Sequence, residues 1–303
     1  MRPVIAIDLG SNSIRFLKMN CQTKEPMATF HRTVKTADGL AQTGRISPEA
    51  IDRVIGAIEE AKRAIDFSDA TIKAVTTEAI RQANNATAVL DQIHAQTGVG
   101  FEVIDGEDEA RYALIATQNR LALLGESPKS FMIADIGGGS TELIFSYGDG
   151  SLSRSFQIGI VTLTQSYNGM DAIVQAIPVV MQEMRAFCEE VYAQHGKVEC
   201  FVAMAGTPTT VAAMKLGMRY ATYDANRIHG TILSRLELQQ QLNRLLSMPE
   251  AERTEIVGVG REDLIASGIL IYDEIYDMVG LDHSLVIDDG VREGVAYATC
   301  ASD

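Results

Sequence analysis

The chain is poor in cysteine, in basic residues and in long apolar runs. Its four cysteines, Cys21, Cys188, Cys200 and Cys300, are scattered, and no two have CxxC spacing. They argue against a zinc site and a disulfide framework, and read as small core or surface residues of a protein in a reducing cytoplasm. No apolar run is long enough to span a bilayer, so no membrane partner is expected. The first apolar run is broken by Asp8 and is preceded by a single basic residue, Arg2, which is unlike a secretory signal. Lys and Arg number 26 against 40 Asp and Glu, a net charge of −14. Such a surface argues against general nucleic-acid binding, which relies on basic contacts to phosphates. Any polyanionic ligand then needs a local exception, built from few basic side chains, backbone amides and metal ions. Low-complexity tracts are absent.

What is present is one short pattern written twice. Ile5-Ala6-Ile7-Asp8-Leu9-Gly10-Ser11-Asn12-Ser13-Ile14-Arg15-Phe16-Leu17 opens the chain. Met132-Ile133-Ala134-Asp135-Ile136-Gly137-Gly138-Gly139-Ser140-Thr141-Glu142-Leu143-Ile144 repeats its logic, with Asp8 and Asp135 spaced by 127 positions. Each copy reads as a strand, a tight polar turn and a second strand. Small residues let the turn bend and show a row of N–H groups, an anion-binding concavity. The Asp beside it suits a hard cation or a water. A chance pair of Gly/Ser-rich hairpins would not place Asp, Gly and Ser in register twice. The repeat implies two similar lobes gripping one phosphorylated ligand.

The rest alternates strands and helices, which implies an α/β fold. Ser47-Pro48-Glu49 marks a helix start, followed by Ile51, Val54, Ile55, Ile58 and Ile65 on one face. Ser234-Arg235-Leu236-Glu237 is a capping box. A long helix is expected over about Asp171–Gln194, and a hairpin turn at Gly148-Asp149-Gly150. The polar stretch Gly125–Lys129, with Pro128, is the candidate boundary. It divides the chain into lobes 1–124 and 125–303.

Several ordered motifs then resemble the exopolyphosphatase/guanosine pentaphosphate phosphohydrolase family. They are Asp8–Arg15, Thr76–Asn84 with Arg81, Gly106-Glu107-Asp108-Glu109-Ala110-Arg111, Asp135–Glu142, Ala205-Gly206-Thr207, Tyr223–Gly230 and Gly290–Gly294. The resemblance implies two ribonuclease-H-like lobes of the actin, Hsp70 and sugar-kinase superfamily, with the active site in a cleft between them. It also implies that the terminal helix, about 291–303, crosses back onto the first lobe. The activity implied is release of terminal orthophosphate from polyphosphate or guanosine pentaphosphate, the latter linked to the stringent response. A homodimer is compatible with this reading. Longer relatives carry further helical domains, so a looser hold on very long polymers is expected here.

On that resemblance, Ser11, Asn12, Ser13, Gly137, Gly138, Gly139, Ser140, Thr141, Gly206 and Thr207 supply phosphate-binding donors. Arg15 and Arg81 add forked guanidinium groups, which match phosphate oxygens. Asp135 and Glu142 are the oxygen ligands for Mg²⁺ or Mn²⁺, with Asp8 contributing through water. Family resemblance, not spacing, selects Glu109 over Glu107 and Asp108 as the general base. The latter two read as charges favoured at a helix N-terminus. Thr162 stands where the family often has an Arg. Two other classes share these motifs: an ATP-dependent kinase or ATPase, and a non-catalytic phosphate sensor. The single Gly of Ala205-Gly206-Thr207-Pro208 counts against the first, and Glu109 against the second.

Overall fold

A computed structural model describes residues 2–302 except Asp149 and Asp263. The expected turn at Gly148-Asp149-Gly150 therefore falls partly outside the described residues. The chain forms two compact units, Met1–Ala116 with Asp289–Asp303, and Thr117–Asp288. Gly125–Lys129 lies inside the second.

In the first unit, β1 (Val4–Leu9), β2 (Ser13–Met19) and β3 (Pro26–Thr33) form an antiparallel meander. The chain continues through the short α1 (Leu40–Thr43) and α2 (Pro48–Ala64). As expected, Ser47 caps α2, its hydroxyl accepting from the Ala50 amide at 3.2 Å. Next come β4 (Thr71–Thr76), α3 (Glu78–Gln82), α4 (Ala86–Thr97), β5 (Phe101–Val103) and α5 (Gly106–Leu124). The sheet order is β3-β2-β1-β4-β5, with β4 parallel to β1 and β5 parallel to β4.

The second unit repeats this plan with β6 (Ser130–Ile136), β7 (Thr141–Tyr147) and β8 (Gly150–Phe156), again an antiparallel meander. Then follow α6 (Ile160–Ser166), α7 (Met170–Val180), α8 (Gln182–His195), β9 (Cys200–Met204) and α9 (Gly206–Lys215). The chain continues through α10 (Ala225–Ile228), β10 (Thr231–Ser234), α11 (Arg235–Ser247), α12 (Glu250–Val257), α13 (Ile265–Val279) and β11 (His283–Val286). Read from its meander, this sheet runs β8-β7-β6-β9-β11-β10. Both sheets thus carry the 3-2-1-4-5 order of a ribonuclease-H-like lobe, the second with one added strand. The single helix expected over 171–194 is two, α7 and α8. They part at Met181, three residues after Pro178, whose ring removes one helical N–H.

In β1, Ile5, Ile7 and Leu9 face one apolar cluster with the α2 side chains, while Val4 and Ala6 face another. A strand buried on both faces reads as the continuous apolar run seen in the sequence. The helix α14 (Val291–Ser302) covers the second face, with Val291, Val295, Ala296 and Tyr297 in that cluster. Gly294 is obligatory there: a Cβ at this position would lie 2.0 Å from the Tyr112 carbonyl oxygen. No described helix is long and apolar enough to cross a membrane.

The return of α14 corrects one expectation. Cys21, in the turn after β2, and Cys300, in α14, form a disulfide across 279 residues of sequence. Cysteines far apart in the chain meet because the last helix packs beside β1 and β2. Cys188 and Cys200 are free, and burial pushes their thiols up to about 12 and about 11. We expect Cys21→Ser to lower unfolding stability by about 2–4 kcal/mol in oxidising buffer, the usual worth of a bond closing a long loop. Denaturant titrations with and without excess dithiothreitol check this. The two proteins should converge when reduced; equal stability under oxidising conditions would contradict the expectation.

Candidate functional site

The two repeated turns are built alike, and the pairing of their strands explains how. Asp8 lies opposite Arg15 in β1 and β2, and Asp135 lies opposite Glu142 in β6 and β7. Each turn is closed by a backbone bond, from the Gly10 amide to Ser13 O at 3.0 Å and from the Gly137 amide to Ser140 O at 2.9 Å. Asp8 and Asp135 are therefore equivalent positions, and so are Arg15 and Glu142. The duplicated frame presents a cation at one site and an acid at the other.

What lies under each turn decides which way its amides point. In the first unit, Ser11 O accepts from the Ala37 amide, and Asn12 O accepts from the amides of Val34 and Lys35, all at 2.9 Å. In the second, the amide of Ile160 reaches Gly137 O at 3.0 Å and that of Val161 reaches Gly138 O at 2.8 Å. A trans peptide carries its N–H opposite its C=O. The amides of Asn12 and Ser13, and of Gly138 and Gly139, thus face away from the segments that hold their carbonyls. That is the polarity an anion cradle needs. Thr162 serves the same scaffold: its hydroxyl accepts from the Gly159 amide at 2.9 Å and donates to Gly159 O at 3.1 Å.

Burial divides the remaining site residues. Ser11, Ser140, Thr141 and Thr207 are buried, while Asn12, Ser13, Arg15, Gly137 and Gly138 are half-buried. The Thr141 hydroxyl donates to Ile158 O at 2.6 Å, so it supports the turn from within. Glu142 is buried and accepts from the Ser155 hydroxyl at 2.7 Å. Burial pushes the Asp8 carboxyl up to about 6 against the pull of Arg15 and Arg292, and Glu293 adds to the rise.

The turn after β9 holds a second kind of feature. Ala205 has φ 71° and ψ −172°, a conformation that costs a non-glycine residue of order 1–3 kcal/mol and that clusters at functional sites. The next residue, Gly206, has its carbonyl bonded by Arg261 Nη2 at 2.7 Å. Because β9 runs parallel to β6 with Asp135 opposite Met204, this turn follows directly beside the second Asp. Arg261 carried no local signal, as it meets the turn from 55 residues away.

In the first unit, the equivalent position after β4 begins α3. Arg81 on α3 donates from Nη1 to Ile104 O at 2.6 Å and stands 3.7 Å from Glu109 Oε2. Its Nη2 is bonded to Glu78, which was not among the candidates. Along α5, Glu107 is exposed and Asp108 pairs with Arg111 at 2.6 Å, whereas Glu109 is buried beside Arg81. Successive helical residues lie about 100° apart, so the three acids cannot share one environment.

Among the described residues no group of three His, Cys, Asp or Glu forms a closed metal site. Asp135 and Glu142 are cross-strand neighbours in β6 and β7, residue types that fit Mg²⁺, which usually keeps waters and uses one or two carboxylates plus substrate phosphates.

A duplicated ribonuclease-H-like frame with a phosphate-type turn in each copy defines the class. The chain belongs to the Ppx/GppA phosphatase family, whose pattern it matches over residues 19–302. It is 28% identical over 318 residues to exopolyphosphatase 2 of Mycobacterium tuberculosis (strain CDC 1551 / Oshkosh), covering 97% of this chain and 98% of that one. A solved Ppx/GppA family member from Aquifex aeolicus is 29% identical with a TM-score of 0.76, covering 99% of this chain and 98% of that one. A solved exopolyphosphatase from Cytophaga hutchinsonii shares the fold at a TM-score of 0.88 and 21% identity, covering 99% of this chain and 98% of that one.

Proposed function

We propose that this protein hydrolyses the terminal phosphoanhydride of inorganic polyphosphate, or of guanosine pentaphosphate, with release of orthophosphate. The observation that carries the reading is the pairing of a buried Glu109 with Arg81 at the start of α5, in a chain of a phosphatase family whose relatives include exopolyphosphatases. Phosphoryl transfer to water needs positioned phosphates, neutralised charge and an oriented nucleophile. In the first unit the turn amides with the guanidinium groups of Arg15 and Arg81, and in the second unit the turn amides, are each suited to hold phosphate oxygens. Glu109 accepts the proton of the attacking water. Asp135 and Glu142 would hold Mg²⁺ or Mn²⁺, which would neutralise charge developing on the leaving phosphate; Asp8 is the matching carboxylate of the first unit's turn.

Phosphate release from polyphosphate, guanosine pentaphosphate and ATP tests this reading. Release from one of the first two is expected, with ATP the poorest substrate and activity lost in excess chelator and restored by Mg²⁺. Full activity in chelator would remove the metal from the scheme. Turnover of ATP alone would favour a kinase-like or ATPase role, and no turnover of any substrate would favour a sensor.

A further inference from the structure

Glu78 is one of the few buried acids in the first unit, 4% exposed, and both of its oxygens are engaged. Arg81 Nη2 donates to Oε2 and Gln82 Nε2 to Oε1. Arg81 is thereby flanked by two buried carboxylates, but unequally. It is hydrogen-bonded to Glu78, while Glu109 stays 3.7 Å from Nη1, an ion-pair distance too long for a hydrogen bond. Ile104 O takes Nη1 at 2.6 Å and completes the fork. The Arg81 side chain remains 26% exposed, enough to meet a ligand.

A guanidinium prefers a bidentate pair with a carboxylate. With no competitor, Arg81 would close on Glu109 and occupy both a phosphate donor and the base. We propose that Glu78 is a positioning residue: by holding Arg81 Nη2 it keeps the guanidinium off Glu109 and turned for phosphate. This rests on the roles given above to Arg81 and Glu109. Glu78 acts on the reaction only through Arg81, and the geometry that assigns it lies wholly within the first unit.

The test is a cycle of Glu78→Gln, Arg81→Ala and the double variant, read as kcat and KM for phosphate release, with a crystal structure of Glu78→Gln. Gln keeps the shape and the bond to Gln82 but loses the charge that competes for Arg81. Glu78→Gln is expected to lower kcat about 10-fold or more, a smaller loss than the ~10²–10⁴-fold that a general base itself contributes. In the Arg81→Ala background the same change should alter kcat less than about 2-fold, because positioning through a shared partner is non-additive. The crystal structure should show Arg81 within 3.2 Å of Glu109, a direct hydrogen bond. Equal losses in both backgrounds, unchanged kcat, or an Arg81 that stays in place would each overturn the proposal. If Glu78→Gln fails to fold, Glu78→Asp carries the cycle, since it retains charge and shortens reach. If the unaltered protein releases no phosphate, the proposed function fails, while the crystallographic arm still judges the positioning.

Discussion

Glu109→Gln is expected to lower turnover by at least ~100-fold while leaving substrate binding intact, the scale on which a general base contributes. The Gln side chain keeps the volume that Glu109 fills in its buried place and removes only charge and basicity. Affinity for polyphosphate should hold or rise, because a carboxylate close to a polyanion repels it. The control is Glu107→Gln. Glu107 is exposed on the first turn of α5, where an acid complements the helix dipole and little else. Its substitution should leave turnover within about 2-fold, as for most surface changes. Steady-state phosphate release and calorimetric binding of tripolyphosphate read both effects. Loss of turnover from the Glu107 change alone would move the base along the helix. Loss from neither would remove water activation from α5.

Gly159→Ala should be strongly damaging to the second unit's turn. Gly159 has an ordinary extended backbone, φ −138°, so the demand is for space and not for a glycine conformation. A Cβ there would lie 2.4 Å from the carbonyl carbon and oxygen of Gly138 and 2.6 Å from the Gly139 amide nitrogen. These are backbone atoms of the phosphate-type turn and cannot rotate aside. The strain must push that turn off α6, breaking the bonds from Ile160 and Val161 that aim its amides. Overpacking of this kind costs about 1–3 kcal/mol. Activity should fall far more than stability, about 100-fold or more, because misplacement by ~1 Å costs about that much in rate. Circular dichroism with thermal melting and phosphate release distinguish the two effects. Full activity with an unchanged melting temperature would contradict the close approach.

The repeat, the two sheets and the polar turns were legible because each is written in local order. Alternating apolar residues around Asp8 and Asp135, and small residues after them, state a strand and a sharp turn without reference to the rest of the chain. The Ser47 and Ser234 helix starts are equally local, and both caps form. The capping acid Glu237 and the buried acid Glu78 show the limit. Both stand near a helix start, yet one bonds a backbone amide and the other holds Arg81. Nothing in a Glu three residues before an Arg says which pairing will be buried. Likewise Thr162 reads as a missing Arg in the sequence. In the fold it is a cap that fastens the Gly159 approach to the second turn.

The sequence alone determined the α/β class, the duplication and the residue types gathered at each turn, since periodicity and turn chemistry are short-range properties of the chain. Tertiary structure alone decided what brings distant residues together. It closed the Cys21–Cys300 bond across 279 residues. It placed Arg261 on the Gly206 carbonyl and set Glu109 beside Arg81 with Glu78 as rival partner. The physical reason is that the reactivity of a carboxylate, thiol or guanidinium is set by burial and by its nearest partner. Both are fixed only when segments far apart in sequence pack against one another.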